Sequence, residues 1–321
     1  MKVRRQRNEI SFEMTPLDQL DLSGVRVLDG GMATELEKLG CDLSGALWSA
    51  RVLREAPEKI AAVHSAYLAA GADCILTASY QVSAEAYADA GLSPKDAEIA
   101  AAADLVKSVQ IAEDARAGFF PSSRREVLIA ASLGPYGAAL HNGAEYHGNY
   151  EISLDELVAF HARRVAVLAG TSADLIAFET VPSFQEAKAI VKALAPFSEI
   201  GGWVTFTCKD ESRVAHGEPI SECAALLDAA PQVVAVGINC TPPNLVAALL
   251  REVRRATDKP IVVYPNSGES WNGATRTWSG TADPAGFGEL AAQWVDAGAQ
   301  IVGGCCRTGP AHVRTIREVL A

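Results

Sequence analysis

DLIAFETVPSFQEAKAIVKALA, residues 174–195, contains the unit from which the chain is built. Its first part is a short, nearly unbroken apolar run that ends in Glu179 and Thr180. After Pro182 the apolar residues fall at helical spacing. A strand without polar alternation is buried on both faces, which marks a parallel strand covered by helices. The unit recurs in both directions. Upstream lie VRVLDGG (25–31), CILTASY (74–80) and EVLIAASLGP (126–135). Downstream lie IGGWVTFTC (200–208), VVAVGINCT (233–241), PIVVYPNSG (260–268) and AQIVGGCC (299–306). Helical patterns separate them at 56–70, 95–115, 153–169, 183–195, 220–229, 243–256 and 284–297. A last helix over 309–320 opens on Gly309 and Pro310. Parallel neighbours need such crossovers. Eight strand–helix units predict a single-domain α/β fold, a (β/α)8 TIM barrel. An open doubly wound sheet is the competitor, but no G-x-G-x-x-G follows the first strand.

Composition narrows the function classes. Of 321 residues, 49% are hydrophobic and 21% charged, enough for a large core and too ordered a mixture for a disordered chain. The net charge of −11 argues against a nucleic-acid partner. The longest apolar stretches, 126–133 and 232–238, are strand-length, far below the roughly 18 residues of a membrane span. The first twenty residues, MKVRRQRNEISFEMTPLDQL, are basic without an apolar segment, unlike a secretory signal. Residues 1–15 are expected to be a flexible extension, with 16–321 forming the barrel domain. Seven cysteines in a chain of this length do not make a disulfide framework, so reduced thiols and a cytoplasmic location are expected.

In every run the polar residues stand at the C-terminal end, including Asp29, Thr77, Ser79, Glu179, Asn239, Cys240, Asn266, Cys305 and Cys306. In a barrel these ends converge on one mouth, where active sites are built. Cys240, in GINC, and Cys305 with Cys306, in GGCC, would meet there. Three thiolates suit Zn²⁺ and leave a fourth position open, as in catalytic zinc sites. Read singly, each is also compatible with a small buried hydrophobe. Gly303 and Gly304 are expected to turn the backbone so that both adjacent side chains reach one ion. Cys41, Cys74, Cys208 and Cys223 lack this context and read as core or surface thiols.

The segments LDGGMATELEKLG (28–40), TASYQ (77–81), AFET (177–180), GINCTPP (237–243), YPNSGE (264–269) and IVGGCCRTGP (301–310) resemble the zinc-dependent homocysteine S-methyltransferases. The resemblance runs from about residue 25 to the C-terminus. YPNSGE is similar to the branch that uses S-methylmethionine or S-adenosylmethionine. The resemblance implies a barrel whose Zn²⁺ is held by Cys240, Cys305 and Cys306. It also implies that homocysteine, with a sulfonium methyl donor, is converted to methionine, and that Asp29 and Glu179 meet the homocysteine amino group. Read from the residues alone, Asp29 before Gly30-Gly31 also fits a turn, and Glu179 a helix-start residue.

Further candidates follow from placement. Thr77, Ser79 and Tyr80 offer hydroxyls or backbone donors to an amino-acid carboxylate. Asn266 and Glu269 follow the seventh strand, and Glu269 is expected beside a cationic donor. Trp271 and Trp278 are candidates to stack on that cation. His141 and His147, six apart in HNGAEYHGNY, lack metal-ligand spacing and fall in a loop read as solvated or as a lid. His64, His161 and His312 fall on helices. Other readings stay open: betaine as donor, selenocysteine as acceptor, a zinc hydrolase on the same barrel, or a zinc- or thiol-binding protein without turnover.

Overall fold

The structure is a computed structural model, and it describes residues 20–22, 24–43, 47–120, 125–272, 277–280 and 282–321. The expected extension, residues 1–15, lies outside these. Eight parallel strands form one sheet: β1 (Arg26–Val27), β2 (Cys74–Leu76), β3 (Leu128–Leu133), β4 (Leu175–Val181), β5 (Gly202–Phe206), β6 (Val233–Asn239), β7 (Ile261–Tyr264) and, eighth in the sheet, β10 (Ile301–Val302). The strands pair in order around the sheet, and β10 pairs with β1 in parallel. A parallel bridge between Leu28 and Cys74 joins β1 to β2 and closes the cylinder. The predicted TIM barrel is the fold observed.

Alternation along each strand fixes what faces the barrel axis. Leu175, Ala177, Trp203, Ala235, Val262 and Tyr264 pack together inside the barrel. Their neighbours Ile176, Phe178, Val204, Val236 and Val263 pack outward against the helices. The period of two therefore carries Glu179, two residues beyond Ala177, toward the interior. Gly237 is required where β6 meets β7, because a Cβ there would collide with the Val262 carbonyl.

The covering helices begin and end close to expectation. They are α3 (Pro57–Ala70), α5 (Pro94–Phe119), α7 (Leu154–Leu168), α8 (Phe184–Leu194), α9 (Ile220–Asp228), α10 (Pro243–Arg254), α11 (Pro284–Asp296) and α12 (Pro310–Val319). Ser153 caps α7 in a reciprocal pair with Glu156, and Ser183 caps α8 through the Glu186 N–H at 3.2 Å. Four short helices were not anticipated: α1 (Met32–Lys38), α2 (Trp48–Glu55), α4 (Ala84–Asp89) and α6 (Tyr136–Ala139). They lie in the connections at the C-terminal mouth, where short segments carry too little periodicity to be read. An antiparallel pair, β8 (Ser270–Asn272) with β9 (Thr277–Ser279), follows β7. Among the described residues, no helix is long and apolar enough to cross a membrane.

Candidate active site

The end of β7 sets the positions of all three candidate cysteines. Cys240 N–H donates to the Tyr264 carbonyl at 3.3 Å, Cys305 N–H donates to the Pro265 carbonyl at 2.8 Å, and the Cys306 carbonyl accepts from Ser267 N–H at 3.0 Å. Strands β6 and β10 flank β7, so residues 65 apart in sequence meet at one edge of the mouth. The three sulfurs lie within 4.8 Å of one another. Cys240 and Cys305 are joined as a disulfide, and Cys306 Sγ is 3.8 Å from Cys240 Sγ. Gly303 and Gly304 act differently from expectation: neither has a positive φ. They are small because Leu28 and Asp29 crowd Gly303, and Thr308 crowds Gly304.

The donor set fits a metal. Three sulfurs converge on the wall of a cavity, and no other cluster of three ligating side chains occurs among the described residues. All-sulfur coordination with one face open matches a soft, tetrahedral ion. Disulfide and metal compete for the same sulfurs, because ligation requires thiolates.

The cavity has a volume of about 130 Å³. An apolar cavity of about 150 Å³ admits benzene, so the space suits a small amino acid rather than a large cofactor. Asp29 and Glu179 line it together with Thr77, Ser132, Tyr264 and the three cysteines. Asp29 Oδ2 accepts from Leu76 N–H at 2.8 Å, while Oδ1 is buried without a partner. Burial drives the Asp29 carboxyl well above its usual range, and the nearby Glu179 adds to the rise. Glu179 accepts from the Ser132 hydroxyl. Burial pushes it up to about 7, against the opposing hydrogen bonds from Ser132 and Tyr264. Among the described residues, no Lys, Arg or His lines the cavity. Two desolvated carboxylates facing one small space make a site for a cation.

Backbone strain aims Glu179 and Cys240. Thr180 has φ 60° and Cys240 φ 45°, in the left-handed region that a β-branched residue rarely enters. Asn239 holds Thr180 there. Its Oδ1 accepts from Thr180 N–H at 2.7 Å, and its Nδ2 donates to Thr180 Oγ1 at 2.8 Å. Strained, over-determined backbone of this kind clusters at functional sites.

The remaining sequence candidates divide. Thr77 lines the cavity; its hydroxyl pairs with Ser79 at 2.6 Å and accepts from Ser132 N–H at 3.0 Å. Ser79 is wholly buried and donates to the Ser132 carbonyl, which places it in the wall behind the cavity. Asn266 stands outside the lining, bonded through its N–H to the Thr241 carbonyl at 3.1 Å. Glu269 also stands outside, with Arg307 Nε at 3.1 Å and the Ser267 hydroxyl at 3.0 Å. The side chains of Trp271 and Trp278 lie outside the described residues, although their backbones pair across β8 and β9. Cys74, Cys208 and Cys223 are buried core thiols.

Sequence reasoning missed two features. Glu145 and Tyr146, in a single 3-10 turn after β3, line the cavity from its loop side. A buried polar network anchors that loop. Glu186, fully buried on α8, accepts from Tyr136 N–H at 2.6 Å, from the Tyr150 hydroxyl and from His161 Nε2 at 2.9 Å. Burial lowers the His161 pKa to about 4, so the ring is neutral. It donates to Glu186 and accepts from Arg164 at 2.9 Å, and Arg164 also donates to the Gly134 carbonyl at 3.0 Å. His161 is the structural helix residue expected from sequence, whereas Glu186 and Arg164 carry no sign in sequence of the loop that folds over them.

Comparison with known proteins agrees with this geometry. The profile of the homocysteine S-methyltransferase family matches residues 26–320. Homocysteine S-methyltransferase YbgG of Bacillus subtilis is 47% identical, over 94% of this chain and 97% of that protein. A selenocysteine Se-methyltransferase of Brassica oleracea is 43% identical over 94% of this chain and 90% of that protein. The oxidized form of the Escherichia coli homocysteine methyltransferase MmuM superposes with a TM-score of 0.84 at 39% identity, covering 95% of this chain and 99% of that one. Its metallated form superposes at 0.83 with 40% identity, covering 94% and 99%. With the barrel, the cysteine cluster and these relatives in agreement, the chain belongs to the homocysteine S-methyltransferase family.

Proposed function

We propose that the protein transfers a methyl group from a sulfonium donor, S-methylmethionine ahead of S-adenosylmethionine, to the sulfur of homocysteine. The carrying observation is one small cavity with two buried, unneutralised carboxylates and three converging cysteine sulfurs. In this reading Asp29 and Glu179 hold the substrate ammonium. Thr77 presents its hydroxyl beside them. Cys240, Cys305 and Cys306 hold Zn²⁺, which when bound keeps the acceptor thiol as a thiolate near neutral pH. The acceptor sulfur then attacks the donor methyl in line. The donor S–C bond breaks, its electron pair stays on a neutral thioether, and a new S–C bond completes methionine. No base is needed at the methyl carbon, so the chain contributes positioning and exclusion of water. The structure holds Cys240 and Cys305 as a disulfide where reduced thiols were expected, so metal binding requires that this bond be reduced, as a cytoplasmic location would favour. A selenocysteine acceptor is the second reading, favoured by the Brassica relative.

The test is incubation of zinc-loaded protein with homocysteine and, separately, S-methylmethionine, S-adenosylmethionine or betaine. Methionine is expected from the sulfoniums and no useful rate from betaine. Betaine turnover at a matching rate overturns the donor assignment, and no methionine from any donor overturns the activity.

A further inference from the structure

The cavity holds a third acid besides the two that face the acceptor amine. Glu145, on the 3-10 turn of the loop after β3, lines the cavity together with Asp29 and Glu179. Its Oε2 is buried with no hydrogen-bond partner. Beside it, the half-exposed Tyr146 lines the cavity with Cys306, and the charge of Glu145 acts on the Cys306 thiol. Tyr80 and Tyr146 also line the cavity. Two features hold this carboxylate in place. Gly137 lies under the turn so closely that a Cβ there would be 2.5 Å from Glu145 N. The network centred on Glu186 ties down the loop at Tyr136 and Tyr150.

A carboxylate with one oxygen buried and unpartnered, beside the cysteine cluster, is stabilised as an anion by a cation from outside the chain. The acceptor has one cationic group, and Asp29 with Glu179 already provide for it. The donor brings two further cationic groups, its own ammonium and its sulfonium, and only the sulfonium must lie beside the acceptor sulfur and hence beside the cysteine cluster. We infer that Glu145 is the specificity-determining residue for the positive charge of the methyl donor, and that the aromatic rings of Tyr80 and Tyr146 complete its cation-binding wall. This rests on the methyl-transfer reading given above. Glu269, the donor-side candidate from sequence, is ion-paired to Arg307, whereas Oε2 of Glu145 has no partner.

The charge history of the reaction gives the inference a distinctive signature. The sulfonium is fully charged when it binds and loses its charge as the methyl departs. A carboxylate beside it therefore stabilises the bound donor more than the transition state. Glu145→Gln should raise the donor KM by roughly 10-fold or more, with kcat equal to or slightly above that of the wild type. The homocysteine KM should stay within about 2-fold, and so should product inhibition by methionine, whose thioether is neutral. Glu145→Asp should recover part of the donor affinity. The experiment is steady-state kinetics of zinc-loaded wild type, Glu145→Gln and Glu145→Asp with S-methylmethionine and homocysteine varied in turn, after matching thermal melts and zinc content. An unchanged donor KM, or an equal rise in the homocysteine KM, overturns the inference. A fall in kcat with KM unchanged also overturns it. If wild type makes no methionine, the activity reading fails separately. Equilibrium dialysis of S-methylmethionine then decides: weaker retention by Glu145→Gln supports the assignment, and equal retention, including none by either protein, overturns it.

Discussion

Asn239→Ala tests whether one amide holds the strained end of β4. Asn239 and Thr180 are each 1% exposed. Truncation leaves the Thr180 N–H buried with no acceptor, at a cost of about 1–3 kcal/mol. It also removes the Nδ2–Oγ1 hydrogen bond, worth about 1 kcal/mol. Thr180 can return about 1 kcal/mol by leaving its left-handed conformation. The net expectation is a loss of about 1–3 kcal/mol. At ~2–4 °C per kcal/mol for a large domain, the melting temperature should fall by roughly 2–12 °C. The relaxation of Thr180 also swings the adjoining Glu179, so the homocysteine KM should rise. Adding Thr180→Gly separates the two effects. Glycine adopts a positive φ without strain, so the double variant should keep a lowered melting temperature yet recover much of the KM. Thermal melts in reducing buffer and steady-state kinetics are the assays. An Asn239→Ala protein that melts within about 1 °C of wild type, with an unchanged KM, refutes the clamp.

Glu179→Gln should lower kcat/KM for homocysteine about 10- to 150-fold while zinc is retained, read by kinetics and metal analysis. The same group gives a pH dependence. The unliganded folded protein keeps a proton to about pH 7 that the unfolded chain loses near 4.5, so its stability should decline as pH rises between these values. The shift corresponds to about 3 kcal/mol, and Glu179→Gln should remove that part of the decline in denaturant titrations, leaving the part of the same sign due to Asp29. Because ammonium binding needs the carboxylate, the homocysteine KM should improve as pH rises through about 7 in wild type and lose that dependence in the variant. Cys240→Ser, Cys305→Ser and Cys306→Ser should each bind less zinc; full occupancy in all three, by metal analysis, contradicts the ligand set. A thiol oxidant should release the metal from wild type, and reductant plus zinc should restore it. Gly237→Ala, whose Cβ would strike the Val262 carbonyl, should yield little folded protein; a normal melt would show that the β6–β7 contact is not as described.

The barrel was legible because each of its units is long and repeats one physical pattern. DLIAFET is apolar throughout, and the stretch after Pro182 has one apolar face, so strand and helix separate without ambiguity. The cysteines were legible because GINC and GGCC end strands, and strand ends in a barrel share a mouth. Glu145 was not, because a single 3-10 turn in a Gly-rich loop has no period. Glu269 was placed on the donor side by charge alone. Its pairing depends on Arg307, which approaches from the far end of β10 with φ 66°, a conformation its own sequence does not announce. The clamp at Asn239 was seen as a polar strand end, but its partner lies across the sheet in β4.

Asp29 also belongs to the seam of the cylinder with the shortest ladder. Between β1 and β2 the ladder is the single bridge from Leu28 to Cys74. Asp29 lengthens it: its N–H donates to the Cys74 carbonyl at 3.1 Å and its Oδ2 accepts from Leu76 N–H. One carboxylate thus stitches the seam with one oxygen and faces the cavity with the other. An amine docking on the free oxygen fixes Asp29 as the anion, which is the better acceptor for Leu76. Breathing of the seam and occupancy of the cavity become a single equilibrium, and the deuterium exchange of the Leu76 amide becomes its clock, slowing as homocysteine fills the barrel.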